Sequence, residues 1–165
     1  MFAAARLSAG CVVCAVGCSA DDETLPSVEV LELPEQGALD APWTRRELPA
    51  LTARLSGCMG CVLSDGSFAV LGRGVNSNGE RLSSCETLAV GDGEHWELMP
   101  PMHDARGFFA GAAVAGCIIV AGGQGLKSAE IFDEVLDHWL RLPFGMIYHP
   151  IVGYVPWAAC CCSRH

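Results

Sequence analysis

Basic side chains are scarce in this sequence of 165 residues, which carries ten Lys and Arg, nineteen Asp and Glu, and a formal net charge of −9. Proteins bind nucleic acids largely through Lys and Arg that neutralise backbone phosphates. Because the few basic residues here are scattered along the chain, the sequence predicts no nucleic-acid partner. The acidic stretch between residues 21 and 35 predicts a solvated loop, with an acidic docking patch as the alternative.

Sequence motifs of the common hydrolases are also missing, because the chain contains neither Gly-x-Ser-x-Gly nor His-Glu-x-x-His. Two cysteine pairs, Cys11 with Cys14 and Cys58 with Cys61, have the spacing of zinc ligands. Both pairs fall in apolar runs that read as strands, where residues i and i+3 point to opposite faces. We therefore predict no catalytic residue, no cofactor-binding residue, no metal ligand and no cofactor.

Long amphipathic stripes with helical periodicity are absent as well. Nineteen glycines and nine prolines divide a chain that is 51% hydrophobic into short segments. Short apolar runs separated by turn residues are typical of strands. The composition therefore predicts an all-β domain with a sizeable core.

What the sequence does contain is an internal repeat. Residues 2–17 and 108–123 align without gaps and share an Ala-Gly-Cys turn that is followed by a run of β-branched residues. A third copy lies between them, where two apolar runs at 58–63 and 68–72 flank a Ser-Asp-Gly turn. Asp-Gly between two short apolar runs is typical of a β-hairpin. We predict hairpins near 2–17, 57–72 and 108–123.

The segment after each hairpin recurs too. A short strand follows, then a tryptophan, and then Leu-Pro or Met-Pro. The tryptophans are Trp43, Trp96 and Trp139, and the dipeptides are Leu48-Pro49, Met99-Pro100 and Leu142-Pro143. Successive tryptophans are 53 and 43 residues apart, which is the repeat length of a four-stranded propeller blade.

These residues resemble the kelch repeat. The third copy carries the resemblance best, with Arg106, the pair Gly122-Gly123, a Glu-containing strand at 129–133, and Trp139. The resemblance implies a partial kelch-type β-propeller of four-stranded antiparallel blades. It also implies a non-catalytic scaffold or adaptor that binds protein partners through blade loops. The pair Gly122-Gly123 is expected to allow close backbone approach, and Gly72-Arg73 and Val16-Gly17 replace it in the other two copies. Each Trp is expected to lie between blades with its N–H on a backbone acceptor.

The predicted units are a first kelch repeat at 2–52 that lacks its start, a second at 53–101 and a third at 102–145. Residues 146–165 are expected to begin a fourth blade or to form an aberrant tail. Propellers have four to eight blades, so three repeats predict an incomplete one. Uncovered blade faces then predict self-association.

Alternatives remain open at this stage. The chain could be a fragment of a galactose-oxidase-like or epimerase-like propeller enzyme, although its only tyrosines, Tyr148 and Tyr154, lie outside the repeats. Residues 1–20 could be a signal peptide of a secreted propeller, whereas the repeat places strands there. Most cysteines lie in apolar, strand-like runs without the regular spacing of a disulfide scaffold, so we predict a reducing compartment and a cytoplasmic protein. Residues 107–126 are long enough for a membrane helix, whereas the hairpin pattern predicts two strands there.

Overall fold

A computed structural model describes residues 3–8, 11–15, 27–32, 44–51, 57–72, 80–89, 93–143 and 145–146. In this part of the chain every regular element is a strand, as the composition predicts. The first four strands are β1 (Ala3–Ser8), β2 (Cys11–Ala15), β3 (Val28–Glu32) and β4 (Thr44–Leu48). The next four are β5 (Met59–Val62), β6 (Phe68–Leu71), β7 (Cys85–Leu88) and β8 (Trp96–Met99). The last four are β9 (Ala110–Val114), β10 (Cys117–Ala121), β11 (Ala129–Asp133) and β12 (His138–Arg141).

The twelve strands form three separate four-stranded antiparallel sheets, each made of four strands consecutive in the chain. We call them sheets 1, 2 and 3 in chain order. This architecture is consistent with the blades of a propeller. The three predicted hairpins are confirmed as β1–β2, β5–β6 and β9–β10. The last of these occupies the apolar run at 107–126, and no helix in the described residues could span a membrane.

Sheet 2 lies between the other two and is covered on both sides. Along β6 every residue is buried, because Phe68 and Val70 point to one face whereas Ala69 and Leu71 point to the other. The first face packs on sheet 1, against Val28, Val30 and Leu48. The second face packs on sheet 3, against Ile118, Val120, Phe132 and Trp139. Two hydrophobic cores between neighbouring sheets therefore hold the array together.

The first strand of each sheet lies on the inner side of the array, where β1 neighbours β5 and β5 neighbours β9. The approach there is close: a Cβ added at Gly111 of β9 would lie 2.5 Å from the Met59 sulfur of β5. The glycine pair that ends β10 also behaves as predicted. Gly122 and Gly123 have φ values of 70° and 113°, which L side chains rarely adopt.

The strand register corrects one detail of the sequence repeat. Trp96 lies opposite Leu88 in sheet 2, and Trp139 lies opposite Phe132 in sheet 3. In sheet 1 the equivalent pair is Leu31 with Arg45. Trp43, which the spacing aligns with the other two tryptophans, precedes that position by two residues and lies outside the described residues. Counting residues to the next tryptophan cannot detect this offset, because the register depends on the length of the preceding turn.

Candidate functional site

The two tryptophans join neighbouring sheets by the same hydrogen bond. The indole Nε1–H of Trp96 donates to the Pro49 carbonyl at 2.8 Å, and that of Trp139 donates to the Pro100 carbonyl at 2.9 Å. Each acceptor is the proline of the repeated Leu-Pro or Met-Pro dipeptide on the preceding sheet. The predicted backbone acceptor for each described indole is therefore confirmed. This bond fixes how one sheet sits on the next and so positions the loops of both.

Antiparallel order within each sheet divides the connections between two ends of the molecule. The turns after the first and third strands lie at one end, which we call the turn face; in sheets 2 and 3 it includes residues 63–67, 93–95, 115–116 and 134–137. The connections after the second and fourth strands lie at the opposite end, which we call the crossover face. It includes residues 80–84, 100–109 and 122–128.

A buried ionic cluster organises the crossover face. The Arg106 side chain is fully buried and its Nε and Nη2 donate to one Glu130 oxygen at 3.2 and 2.8 Å. Its Nη1 donates to the carbonyls of Gly122 and Ser128 at 2.5 and 2.8 Å. Nη2 also reaches the Ser128 hydroxyl at 2.9 Å and Asp104 at 3.3 Å. Arg106 thus ties the loop before β9 to the loop between β10 and β11.

Glu130 is the other half of this cluster and is also fully buried. Its carboxylate accepts backbone N–H bonds from His103 at 2.7 Å and from Asp104 at 3.1 Å. Burial acts to raise the pKa of Glu130, but the hydrogen bonds from Arg106 and His103 outweigh it and hold the pKa below its usual value. Arg106 and Glu130 bind other groups of this chain, so we assign the cluster a role in stabilising the fold.

The turn face carries a cleft between sheets 2 and 3. Its volume is about 350 Å³, and its lining combines four carboxylates, hydroxyl groups and the edges of apolar side chains. The carboxylates belong to Asp65, Glu97, Glu134 and Asp137, and none of the described residues that line the cleft is Lys, Arg or His. Carboxylates concentrated in a cleft between low-dielectric walls attract cations.

Hydrogen bonds between the two sheets shape this cleft. Glu134, in the turn after β11, accepts the Ser64 backbone N–H at 2.8 Å and also the Ser64 hydroxyl. Asp65 accepts the backbone N–H and the hydroxyl of Ser67 at 2.9 and 2.7 Å. The bonds from Ser67 lower the pKa of Asp65, which is therefore ionised at neutral pH. Because both serine hydroxyls donate to carboxylates that shape turns, they organise the backbone here.

Asp137 and Glu97 complete the charge of the cleft. Asp137 has a φ of 52°, the left-handed conformation that Asp tolerates better than most residues.

His95 forms hydrogen bonds with Glu97 at 2.8 Å and with the Gly93 carbonyl at 2.7 Å. His138 bonds the Leu136 carbonyl in the same way at 3.1 Å. The histidine before each described tryptophan thus stabilises its own turn.

Large apolar side chains are exposed near the cleft. Leu98 of β8 is 77% exposed, and Val135 and Leu136 of the turn after β11 are 89% and 59% exposed. Exposed hydrophobic groups among charges are typical of protein-binding surfaces. The sequence did not predict this cleft, because its walls come from turns about 70 residues apart. The Ser-Asp-Gly turn was visible, but its neighbour across the sheet boundary was not.

Three of the described cysteines belong to the core, whereas Cys117 is partly exposed. Cys58, Cys61 and Cys85 are buried, and burial raises the pKa of Cys61 to about 12 and that of Cys85 to about 11. No group of three or more His, Cys, Asp or Glu side chains in the described residues is placed to hold a metal ion. Cys11 and Cys14 lie in β2, and the tyrosines Tyr148 and Tyr154 lie outside the described residues.

No protein-family model matches the chain. Among curated proteins, the chain is similar to an F-box/kelch-repeat protein of Arabidopsis thaliana, with 38% identity over 56 residues. The match covers 30% of this chain and 15% of that protein, so the chain spans only a small part of its relative. Together with the three four-stranded antiparallel sheets, this similarity suggests a kelch-like protein.

Proposed function

We propose that the chain is a kelch-type scaffold that binds other proteins and does not itself catalyse a reaction. Three kinds of observation support the proposal: the partial similarity to an F-box/kelch-repeat protein, the three four-stranded sheets, and the repeated Trp-to-Pro hydrogen bond between them. In such an array the sheets are rigid supports. The loops at either end are then free to vary with the partner.

We propose that partners bind at the acidic cleft of the turn face. Four carboxylates and a volume of about 350 Å³ suit an Arg or Lys side chain of a partner protein. The exposed Leu98 and Val135 add apolar contact area near it. We therefore propose a partner that presents a basic residue flanked by apolar ones.

Affinity capture with shape-conserving variants tests both parts of this proposal. The wild-type protein, the double variant Glu97→Gln/Asp137→Asn and the control Glu80→Gln are immobilised and exposed to a lysate of the source cells. Glu80 is an exposed carboxylate at the opposite end of the molecule. We expect the wild type and the control to retain a defined set of proteins. The double variant should retain at least about tenfold less of these proteins, and added salt should weaken their binding to the wild type.

Two results would count against the proposal. Equal capture by the double variant would show that partners bind elsewhere on the scaffold. Failure of any protein to be enriched over an unrelated immobilised protein would contradict the scaffold function itself.

An enzymatic role is the second candidate, as a fragment of a galactose-oxidase-like or epimerase-like propeller. The cleft favours binding over catalysis, because Glu134 and Asp65, which accept the serine hydroxyls, also accept backbone N–H groups and so hold turns. We further propose a cytoplasmic location, with a secreted form as the alternative. The thiols of Cys61 and Cys85, which are buried in the core, support this location. Fractionation of source cells, with antibody detection of the chain, distinguishes the two compartments.

A further inference from the structure

His95 connects the turn before β8 to a carboxylate of the acidic cleft. Its Nδ1 lies 2.7 Å from the Gly93 carbonyl oxygen, and its Nε2 lies 2.8 Å from Oε1 of Glu97. Residues two apart in an extended chain point to the same side, which is why the imidazole meets the Glu97 side chain. Glu97 in turn lines the cleft between sheets 2 and 3.

Both groups that His95 contacts are hydrogen-bond acceptors. A carbonyl oxygen has no proton to donate, and neither has an ionised carboxylate. A neutral imidazole carries a proton on only one of its two nitrogens, so it can donate to only one of these groups. Both bonds exist together only in the imidazolium. The geometry therefore describes a positively charged His95 beside Glu97.

The equivalent position of sheet 3 differs in this respect. His138 also stands directly before the tryptophan, and its Nδ1 lies 3.1 Å from the Leu136 carbonyl oxygen. Leu140 stands where sheet 2 has Glu97, so this position offers no carboxylate to the second ring nitrogen. One protonated nitrogen is sufficient there. Because Trp139 points toward sheet 2, its neighbour His138 lies on the face of sheet 3 that is turned away from the cleft.

The charged groups around His95 and Glu97 come from two sides. On the cleft side the neighbours are carboxylates, those of Asp65, Glu134 and Asp137. From sheet 1, Arg46 of β4 approaches the same turn, where it forms an ion pair with Glu94 at 2.7 Å. Among the described cleft carboxylates, Glu97 is therefore the one whose charge a histidine proton offsets.

We propose that His95 makes partner binding at the acidic cleft dependent on pH. The inference rests on the proposed binding function of the cleft. When His95 is protonated, its charge offsets that of Glu97, and a basic partner is attracted less strongly. When the proton leaves, one of the two hydrogen bonds is lost and Glu97 is available to the partner. Binding therefore tightens as the pH rises through the range in which His95 loses its proton.

The two hydrogen bonds also set the pH range of this change. The bond to the Gly93 carbonyl, followed by the bond to Glu97, raises the pKa of His95 above the usual histidine value of about 6.5. The charge then changes near neutral pH, where Asp65 and the Lys or Arg of a partner keep theirs. Because His95 and Glu97 are both exposed to solvent, we expect a modest change in the dissociation constant, about two- to fivefold.

Nuclear magnetic resonance measures the first step without any partner. The imidazole signals of His95 are followed from about pH 5 to about pH 9 in the wild type and in Glu97→Gln. We expect a lower pKa of His95 in Glu97→Gln, because an amide stabilises the imidazolium less than a carboxylate does. An unchanged pKa would overturn the inference, because it would show that Glu97 does not hold the proton.

Binding of a defined probe, the peptide acetyl-Leu-Arg-Leu-amide, measures the second step. Chemical-shift titrations at about pH 6 and about pH 8 give the dissociation constant for each protein. We expect the wild type and the control His138→Gln to bind about two- to fivefold more tightly at the higher pH. His95→Gln keeps a hydrogen-bond donor but gains no charge. It should bind equally at both pH values, and as tightly as the wild type does at the higher one.

The outcomes separate the inference from the function on which it rests. Wild-type binding that is equal at both pH values would overturn the regulation and leave the binding function intact. A pH dependence that persists in His95→Gln would do the same. A peptide that binds at neither pH would contradict the binding function of the cleft, and its regulation with it.

Discussion

Arg106 shows how one side chain can order a whole loop face. Its guanidinium donates to Glu130, Asp104, the Ser128 hydroxyl and two backbone carbonyls, so a charge that is fully removed from solvent has its donors satisfied. The sequence repeat marked both Arg106 and the strand that contains Glu130, but it did not predict the contact between them. Glu86 occupies the position of Glu130 in sheet 2 and is 3% exposed, so the buried glutamate recurs in the structure as well.

Glu130→Gln is expected to destabilise the protein by about 3–5 kcal/mol at neutral pH, because it leaves the buried Arg106 without its counter-charge. The hydrogen bonds lower the folded-state pKa of Glu130, so the ionised form stabilises the fold. That contribution is present above the unfolded pKa of about 4.3 and is lost as the pH falls through the folded pKa. The difference between variant and wild type should therefore shrink below about pH 4.

Urea unfolding of both proteins across this pH range measures the effect, with Glu80→Gln as the exposed control. A difference that is independent of pH would contradict the assigned role of the carboxylate. So would a loss of less than about 1 kcal/mol, because that is the value of an exposed ion pair.

The two described tryptophans should differ in their contribution to stability. Trp139 is 4% exposed, whereas Trp96 is only half-buried. We expect Trp139→Ala to cost about 3–5 kcal/mol and Trp96→Ala clearly less. Trp139→Phe keeps an aromatic ring but loses the bond to the Pro100 carbonyl, at a cost of about 1 kcal/mol or more. Urea unfolding measures the loss of free energy of unfolding in each variant. A larger loss for Trp96→Ala than for Trp139→Ala would show that the burial of the two side chains is wrongly assigned.

At the scale of elements, local turn chemistry was sufficient to predict the hairpins. Gly66 and Gly116 both have positive φ values, 89° and 76°, as the glycines of the predicted turns require. The turn between β9 and β10 is less favourable, because Ala115 also has a positive φ of 51°. Two consecutive left-handed residues define the tight turn for which Asn-Gly is the preferred sequence.

Ala115→Asn should therefore stabilise the protein, by about 0.5–1 kcal/mol, since Asn adopts the left-handed region more readily than Ala. Ala115 is exposed, so the larger side chain has space. Ala113→Asn, on the neighbouring strand, is the control and should not stabilise. If thermal unfolding shows Ala115→Asn to be equal to or less stable than the wild type, this turn is not the strained element that the dihedral angles describe.

At the scale of the whole molecule, the sequence predicts the elements better than their assembly. Hairpins, the glycine pair and the tryptophan N–H bonds follow from residues close together or from the repeat itself. The cleft depends on Ser64 meeting Glu134, and Arg45 standing at the position of Trp96 depends on strand register. The first depends on contact between segments that are 70 residues apart, and the second depends on the length of the turn between β3 and β4. Hydrophobic periodicity predicts neither.

The stacked arrangement of sheets protects the core thiols. Cys61 and Cys85 lie between sheets 2 and 3, where burial raises the pKa of each thiol far above neutral. Only the thiolate reacts with iodoacetamide, so both should remain unmodified in the native protein and react fully in denaturant. Mass-spectrometric peptide mapping after brief labelling checks this. Rapid native labelling at either residue would mean that the two sheets separate readily.

The central claim is that neighbouring sheets are joined by a repeated bond from a tryptophan indole to a proline carbonyl. Nuclear magnetic resonance of the folded chain tests it most directly, through the indole Nε1–H signals of Trp96 and Trp139. We predict slow solvent exchange for Trp139, with nuclear Overhauser contacts from its Nε1–H to protons of Pro100 and from that of Trp96 to Pro49. Rapid exchange of both indole protons, with no contact to either proline, would contradict this arrangement of the sheets.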